Sequence, residues 1–186
     1  NRYKLTEKIS RINLEKYLNH KAVGTLEDPQ EARFEEGFIL SDMWLENNSL
    51  QCDSVEYRLY TIGKTYDNIA ALGQTIEIND TCTAIAFLSC AEFGHQNDSL
   101  IVNGADGKIE LMFGVTDWTC SPPAFQESVA WKGHEGVIVG ENCNKKHPLP
   151  RYIFSKIYKL PKRMHITNLL LPYCPNIHIF AITCIE

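Results

Sequence analysis

The chain carries no Walker-type glycine loop, no G-x-S-x-G and no H-E-x-x-H. Phosphate-cradling loops, serine-hydrolase elbows and zinc-peptidase helices of those spacings are therefore absent. Its six histidines do not form the H-x-H pair of a metal-binding cupin. No stretch approaches the roughly eighteen uninterrupted apolar residues of a membrane helix, and residues 1–20 lack the apolar run of a signal peptide. Positive charge is scarce, with 18 Lys and Arg against 23 Asp and Glu for a net charge of −5. The basic residues scatter except for Lys145-Lys146 and Lys162-Arg163, which leaves no cationic footprint for nucleic acid or an anionic membrane. No internal repeat, linker or low-complexity tract divides the 186 residues, so 1–186 reads as a single domain. The chain opens on Asn1 rather than methionine, as a trimmed product or an excised domain would.

Paired cysteines are also missing. The seven (Cys52, Cys82, Cys90, Cys120, Cys143, Cys174 and Cys184) are an odd number, evenly spread, with no C-x-x-C. A secreted disulfide scaffold favours even, clustered cysteines, whereas Cys90 and Cys184 fall inside strand patterns where a thiol packs as a small hydrophobe. The expectation is free thiols and a reducing cytoplasm, with nothing else in the chain assigning a compartment.

What is present is alternation. Residues 151–160, 163–171 and 177–185 each alternate apolar side chains with period two, the signature of strands. Tyr152, Phe154, Tyr158 and Leu160 share one face of the first, and Ile153 and Ile157 the other. In the third, Ile177, Ile179, Ala181 and Ile185 oppose Phe180 and Ile182. Apolar residues on both faces mean cover on both sides. Residues 84–90 read the same way, while Val55, Tyr57 and Leu59 alternate with polar neighbours as a half-buried strand. Residues 34–40 read as a strand interrupted at Gly37, and 75–78, 128–131 and 136–139 as short strands. Residues 100–102 and 109–115 flank Asn103-Gly104-Ala105-Asp106-Gly107, a hairpin whose glycines supply positive φ. Near the N-terminus, Ile9, Ile12 and Leu14 suit a strand, while Leu14, Tyr17 and Leu18 suit a helical turn. About ten strands without a long amphipathic helix predict an all-β fold, a two-sheet antiparallel sandwich of jelly-roll type.

Several segments in order carry a resemblance. Tyr66-Asp67-Asn68-Ile69 is followed by Gly73-Gln74-Thr75-Ile76, the apolar strand 84–89 and the Asp106-Gly107 hairpin. Val115-Thr116-Asp117-Trp118-Thr119 comes next, then Leu171-Pro172 and Ile177-His178-Ile179-Phe180-Ala181-Ile182-Thr183. From about Ile12 to the C-terminus the chain resembles the β-sandwich modules appended to bacterial glycoside hydrolases. The resemblance implies a galactose-binding-like jelly roll that is non-catalytic and either binds carbohydrate or packs against a catalytic glycoside hydrolase domain. The chain departs from those modules at Phe34-Glu35-Glu36-Gly37-Phe38, acidic where they are rich in Gly, Ser and Tyr.

A sugar binder needs aromatic platforms for the apolar face of a pyranose, with carboxylate or amide groups beside them for its hydroxyls. Trp118 beside Asp117, Trp131 near His134 and Glu135, and Tyr66 beside Asp67-Asn68 are the candidates. The competing expectation, weighted above binding, is that the tryptophans plug the sandwich and that Asp67 and Asp117 tie down turns through their own backbone. Cys143-x-x-x-His147, with Cys120 and His134 upstream, has half of a zinc-site spacing but no second close pair. A structural calcium held by loop carboxylates suits sandwich modules, yet no spacing designates its ligands, so the metal content stays unknown and no cofactor is expected. Twenty-three acidic residues make any carboxylate pair uninformative about glycosidase chemistry. His165 and His178 fall within strands, where histidines are usually structural. The leading reading is a non-catalytic carbohydrate-associated β-sandwich module. The alternatives are a small cupin-like sugar-processing enzyme or a ligand-free protein-interaction domain.

Overall fold

A computed structural model describes residues 8–28, 33–35, 37–40, 48–60, 65–141 and 143–186. Among these, β1 (Ile9–Arg11), β2 (Val23–Gly24), β3 (Gly37–Leu40), β4 (Ser49–Cys52), β5 (Val55–Arg58) and β6 (Ile69–Leu72) are short. They are followed by β7 (Thr75–Ala91), β8 (Gln96–Gly104), β9 (Gly107–Val115), β10 (Ser128–Ile138), β11 (Asn144–Leu170) and β12 (Tyr173–Ile185). The all-β sandwich expected from the alternation is present. Ten strands form one sheet with the order β1-β12-β7-β11-β10-β3-β2, β6 adding to β12 and the β8–β9 hairpin to β11; β4 and β5 pair separately. Both readings of the N-terminus hold in turn, as a strand at Ile9–Arg11 and a 3-10 turn at Glu15–Tyr17.

The layers arise because the sheet curls. β11 pairs with β7 along both halves, its register slipping between Lys159 and Met164, and its far end pairs with β8 as well. This folds β8 and β9 across one face of β7. Ile85 and Phe87 there pack with Ile177, Ile179, Ile182 and Cys184 of β12 and with Leu100, Val102, Phe113 and Val115 of the hairpin. Phe87 meets Phe113 edge-on at 4.9 Å. The opposite face of β7, formed by Ala84, Ala86, Leu88 and Cys90, is covered by Val55, Tyr57, Phe34 and Trp118. Burying a side chain such as Phe87 or Ile85 contributes about 1.5–3 kcal/mol, so β7 anchors two cores at once.

The structure corrects several strand boundaries. Residues 75–78 and 84–90 belong to one 17-residue strand, and 151–160 and 163–170 to one 27-residue strand, β11. Segments 128–131 and 136–138 likewise join as β10, with bulges between Val129 and Trp131 and between His134 and Gly136. Ile157 is 36 % exposed rather than buried. In β12 a bulge between Ile179 and Ala181 reverses the alternation. Ile177, Ile179, Ile182 and Cys184 therefore share one core, and Phe180, Ala181 and Ile185 the other. The β8–β9 hairpin turns as expected, but only Gly107 of its glycines has positive φ. Gly104 is needed for closeness: a Cβ there would lie 2.6 Å from Met164 Cε.

All seven cysteines are free thiols, with Cys82, Cys90 and Cys184 buried. Complete burial pushes the Cys90 thiol well up, aided by the charges of Glu92, Asp117 and Asp67. No described helix is long and apolar enough to cross a membrane.

Candidate functional site

The predicted residues separate into two places. Trp131 and His134 come together. Both line a cavity of about 540 Å³, with Leu40 of β3, Lys132 and Gly133 of β10, and Lys146 and Pro150 of β11. The site follows from β10's sequence, Ser-Val-Ala-Trp-Lys-Gly-His-Glu-Gly-Val-Ile. Its two bulges break strict alternation and re-aim the side chains between them. Gly133 is the seat of the indole: a Cβ there would lie 2.0 Å from Trp131 Cζ2, so the ring lies directly against bare backbone. Gly136 does the same for Phe38, whose ring would meet a Cβ at 2.2 Å. Trp131 is half-buried and also packs against the second core.

His134 carries a buried Nδ1 with no hydrogen-bond partner among the described residues. Buried polar atoms are nearly always satisfied, so an orphan calls for an explanation. Behind the cavity, Glu135 and Arg151 form a buried ion pair, Nη2 to Oε2 at 2.7 Å and Nε to Oε2 at 2.9 Å. Burial pushes the Glu135 carboxyl up and the Arg151 guanidinium pulls it back. The acid adjoining the cavity is thus already engaged.

The other predicted residues lie in or beside the second core. Trp118 is fully buried, its ring edge-on to Phe34 at 4.6 Å and beneath the Arg151 guanidinium, which lies 5.5 Å from its centroid. It does not present a surface platform in this structure. Asp117 is buried and holds turns: Oδ1 accepts from the Thr119 backbone N–H at 2.8 Å and Oγ1 at 2.6 Å, and Oδ2 from Gly94 N–H at 2.7 Å. Asp67 is buried in the same way, accepting from Asn68 Nδ2 at 2.7 Å and from the Ala22 and Val23 N–H groups at 2.9 Å each. Burial pushes its carboxyl up against those donors. Tyr66 is 46 % exposed and does not line the Trp131 cavity.

Sequence reasoning missed the polar cluster around Asn68. Its Oδ1 accepts from His178 Nδ1 at 2.9 Å, while its Nδ2 reaches His20 Nδ1 at 3.0 Å, so one amide orients two imidazoles. The rings of His20 and His178 are 4.5 Å apart. His178 Nε2 is buried without a hydrogen bond and lies 3.7 Å from Glu92 Oε1. Desolvation and the neighbouring His178 lower His20 to about 4. The sequence separations of 48 and 110 residues left no local pattern to read. Among the described residues, no three His, Cys, Asp or Glu side chains gather as a metal site would require.

In class the fold is an all-β sandwich, with a ring-walled cavity at β10 and buried polar staples around Asp67, Asn68 and Asp117. The chain belongs to the AziU2-like beta-sandwich domain family, whose model matches residues 8–186. No curated protein matches it.

Proposed function

We propose that this domain is a non-catalytic carbohydrate-binding module whose sugar site is the Trp131 cavity, of the kind that works beside a glycoside hydrolase domain. The observation that carries the reading is the indole of Trp131 seated on Gly133 in the wall of a cavity of about 540 Å³. That volume suits a mono- or disaccharide-sized ligand. A half-buried ring fixed on backbone offers a pyranose its π-face at little entropic cost, and His134, Lys132 and Lys146 stand where hydroxyl partners are needed.

Isothermal titration against a glycan panel tests this. Trp131→Ala should weaken binding roughly ten- to a hundredfold, the equivalent of about 1–3 kcal/mol for a lost aromatic anchor. Gly133→Ala should do nearly as much by displacing the ring without removing it. Both variants should stay folded. A parent protein that binds no glycan, or binding that is unchanged in Trp131→Ala, would overturn the assignment.

A ligand-free interaction domain is the second reading. It is favoured by β9, which pairs only with β8 among the described residues and exposes Met112 at 60 %. An open strand edge of this kind templates pairing with another chain. Light scattering of the parent and of Met112→Lys measures it: loss of a dimer in the variant would support this reading.

A further inference from the structure

We infer that the Trp131 cavity selects an anionic saccharide, one whose ring carries a carboxylate or sulfate. This rests on the carbohydrate reading of the same cavity and names its ligand class. The molecule is acidic overall, with a net charge of −5, yet among the described residues the charged ones lining this cavity are Lys132 and Lys146. Neither lysine makes an ion pair or hydrogen bond among the described residues. They stand on neighbouring strands, Lys132 opposite Tyr152 on β10 and Lys146 opposite Gly136 on β11. The carboxylate next in the chain, Glu135, is held away by Arg151 at 2.7 Å.

A second cavity of the same volume makes the contrast. It is lined by Arg11, Glu15, Lys16 and Glu77 among others. There Lys16 pairs with Glu77 at 3.1 Å, Arg11 with Glu56 at 3.0 Å, and Glu15 with Arg58 at 3.1 Å. Its charges are already matched within the protein. At the Trp131 cavity two cations flank an aromatic ring and a histidine with an unsatisfied buried nitrogen. Unmatched charge beside a stacking surface is complementary to a sugar bearing its own anion. A neutral sugar would fill the ring face and leave both ammonium groups to water.

The experiment compares oligogalacturonate, its methyl ester and a sulfated galactan by titration calorimetry on the parent and on Lys132→Gln/Lys146→Gln. The parent should bind at least one anionic probe roughly tenfold more tightly than the uncharged methyl ester, an advantage that shrinks as salt rises. In the double variant that ratio should fall towards one. Preference for oligogalacturonate identifies the carboxylate as the recognised group, and preference for the galactan identifies the sulfate. If the methyl ester binds as well as both anionic probes, or if the ratio survives in the double variant, the anionic inference fails while the carbohydrate reading stands. If none of these probes and no neutral glycan binds, both fail.

Discussion

At the scale of single residues, His20 gives the molecule a built-in acid sensitivity. Unfolded, its imidazole titrates near the ordinary 6.5, whereas in the folded chain burial and His178 lower it to about 4. Between those two values the unfolded chain holds the extra proton. The stabilisation is therefore complete above about pH 6.5 and is lost as pH falls towards 4. The full loss amounts to at most about 3 kcal/mol, reduced because the ring is partly reachable by water. Urea denaturation at pH 7 and pH 4.5 should show a steeper acid loss for the parent than for His20→Gln. Equal losses in the two proteins would remove His20 from the account. Asn68 is what makes the cluster specific, since its one amide lies within hydrogen-bond distance of both imidazoles. The sequence offered Asn68 as a sugar partner only because it stands next to an aromatic. Trp131 and His134 were legible as neighbours because four residues of one strand hold both. Trp118 looked the same from its sequence, and only its packing against Phe34 separates the two tryptophans.

At the scale of the element, β12 shows how far alternation can be read. Its apolar residues were correctly placed in strands, but period two carried through residue 180 assigns the wrong partners to everything beyond. Ile179 pairs with Ser89 and Ala181 with Leu88, leaving Phe180 as the extra residue of a bulge. Deleting Phe180 removes a residue that β7 does not need for its register, so Ile182 and Cys184 keep their core face. The deletion should cost about what Phe180→Ala costs, roughly 3–5 kcal/mol for a lost buried ring. Deleting Ile182 instead moves Cys184 and Ile185 to opposite faces, and that protein should not fold. Denaturation midpoints of the three variants measure this directly, and a fully unfolded Phe180 deletion would refute the bulge assignment. A bulge carries no signal in hydrophobicity, because both of its residues are apolar. β11 hid itself for a related reason: Pro161 lacks an N–H and reads as a break, yet it falls where the register with β7 already slips.

At the scale of the whole molecule, the alternation sufficed for an all-β sandwich, while the curl of the sheet was not legible. The curl depends on β7 and β11 running through both layers, and a strand that changes layer midway looks in sequence like two strands. The cavity depended on the same long-range order, since Leu40, Trp131 and Lys146 come from three strands that only the sheet brings together. One consequence lies in how the domain bears tension. β1 lies antiparallel along the end of β12, Ile9 opposite Ile185 and Arg11 opposite Thr183, with Glu186 N–H donating to Lys8 O at 2.8 Å. Handles attached at residues 8 and 186 therefore pull on the same corner. The cross-strand bonds there come under load one after another, as in a zipper, rather than all together as in a sheared pair. In an optical trap the parent should peel open at low force from this corner, and handles at residue 8 and the Asp106 turn should require more. A domain anchored in that way yields gently under tension, and its cavity strands β10 and β11 lie beyond the first seam to part.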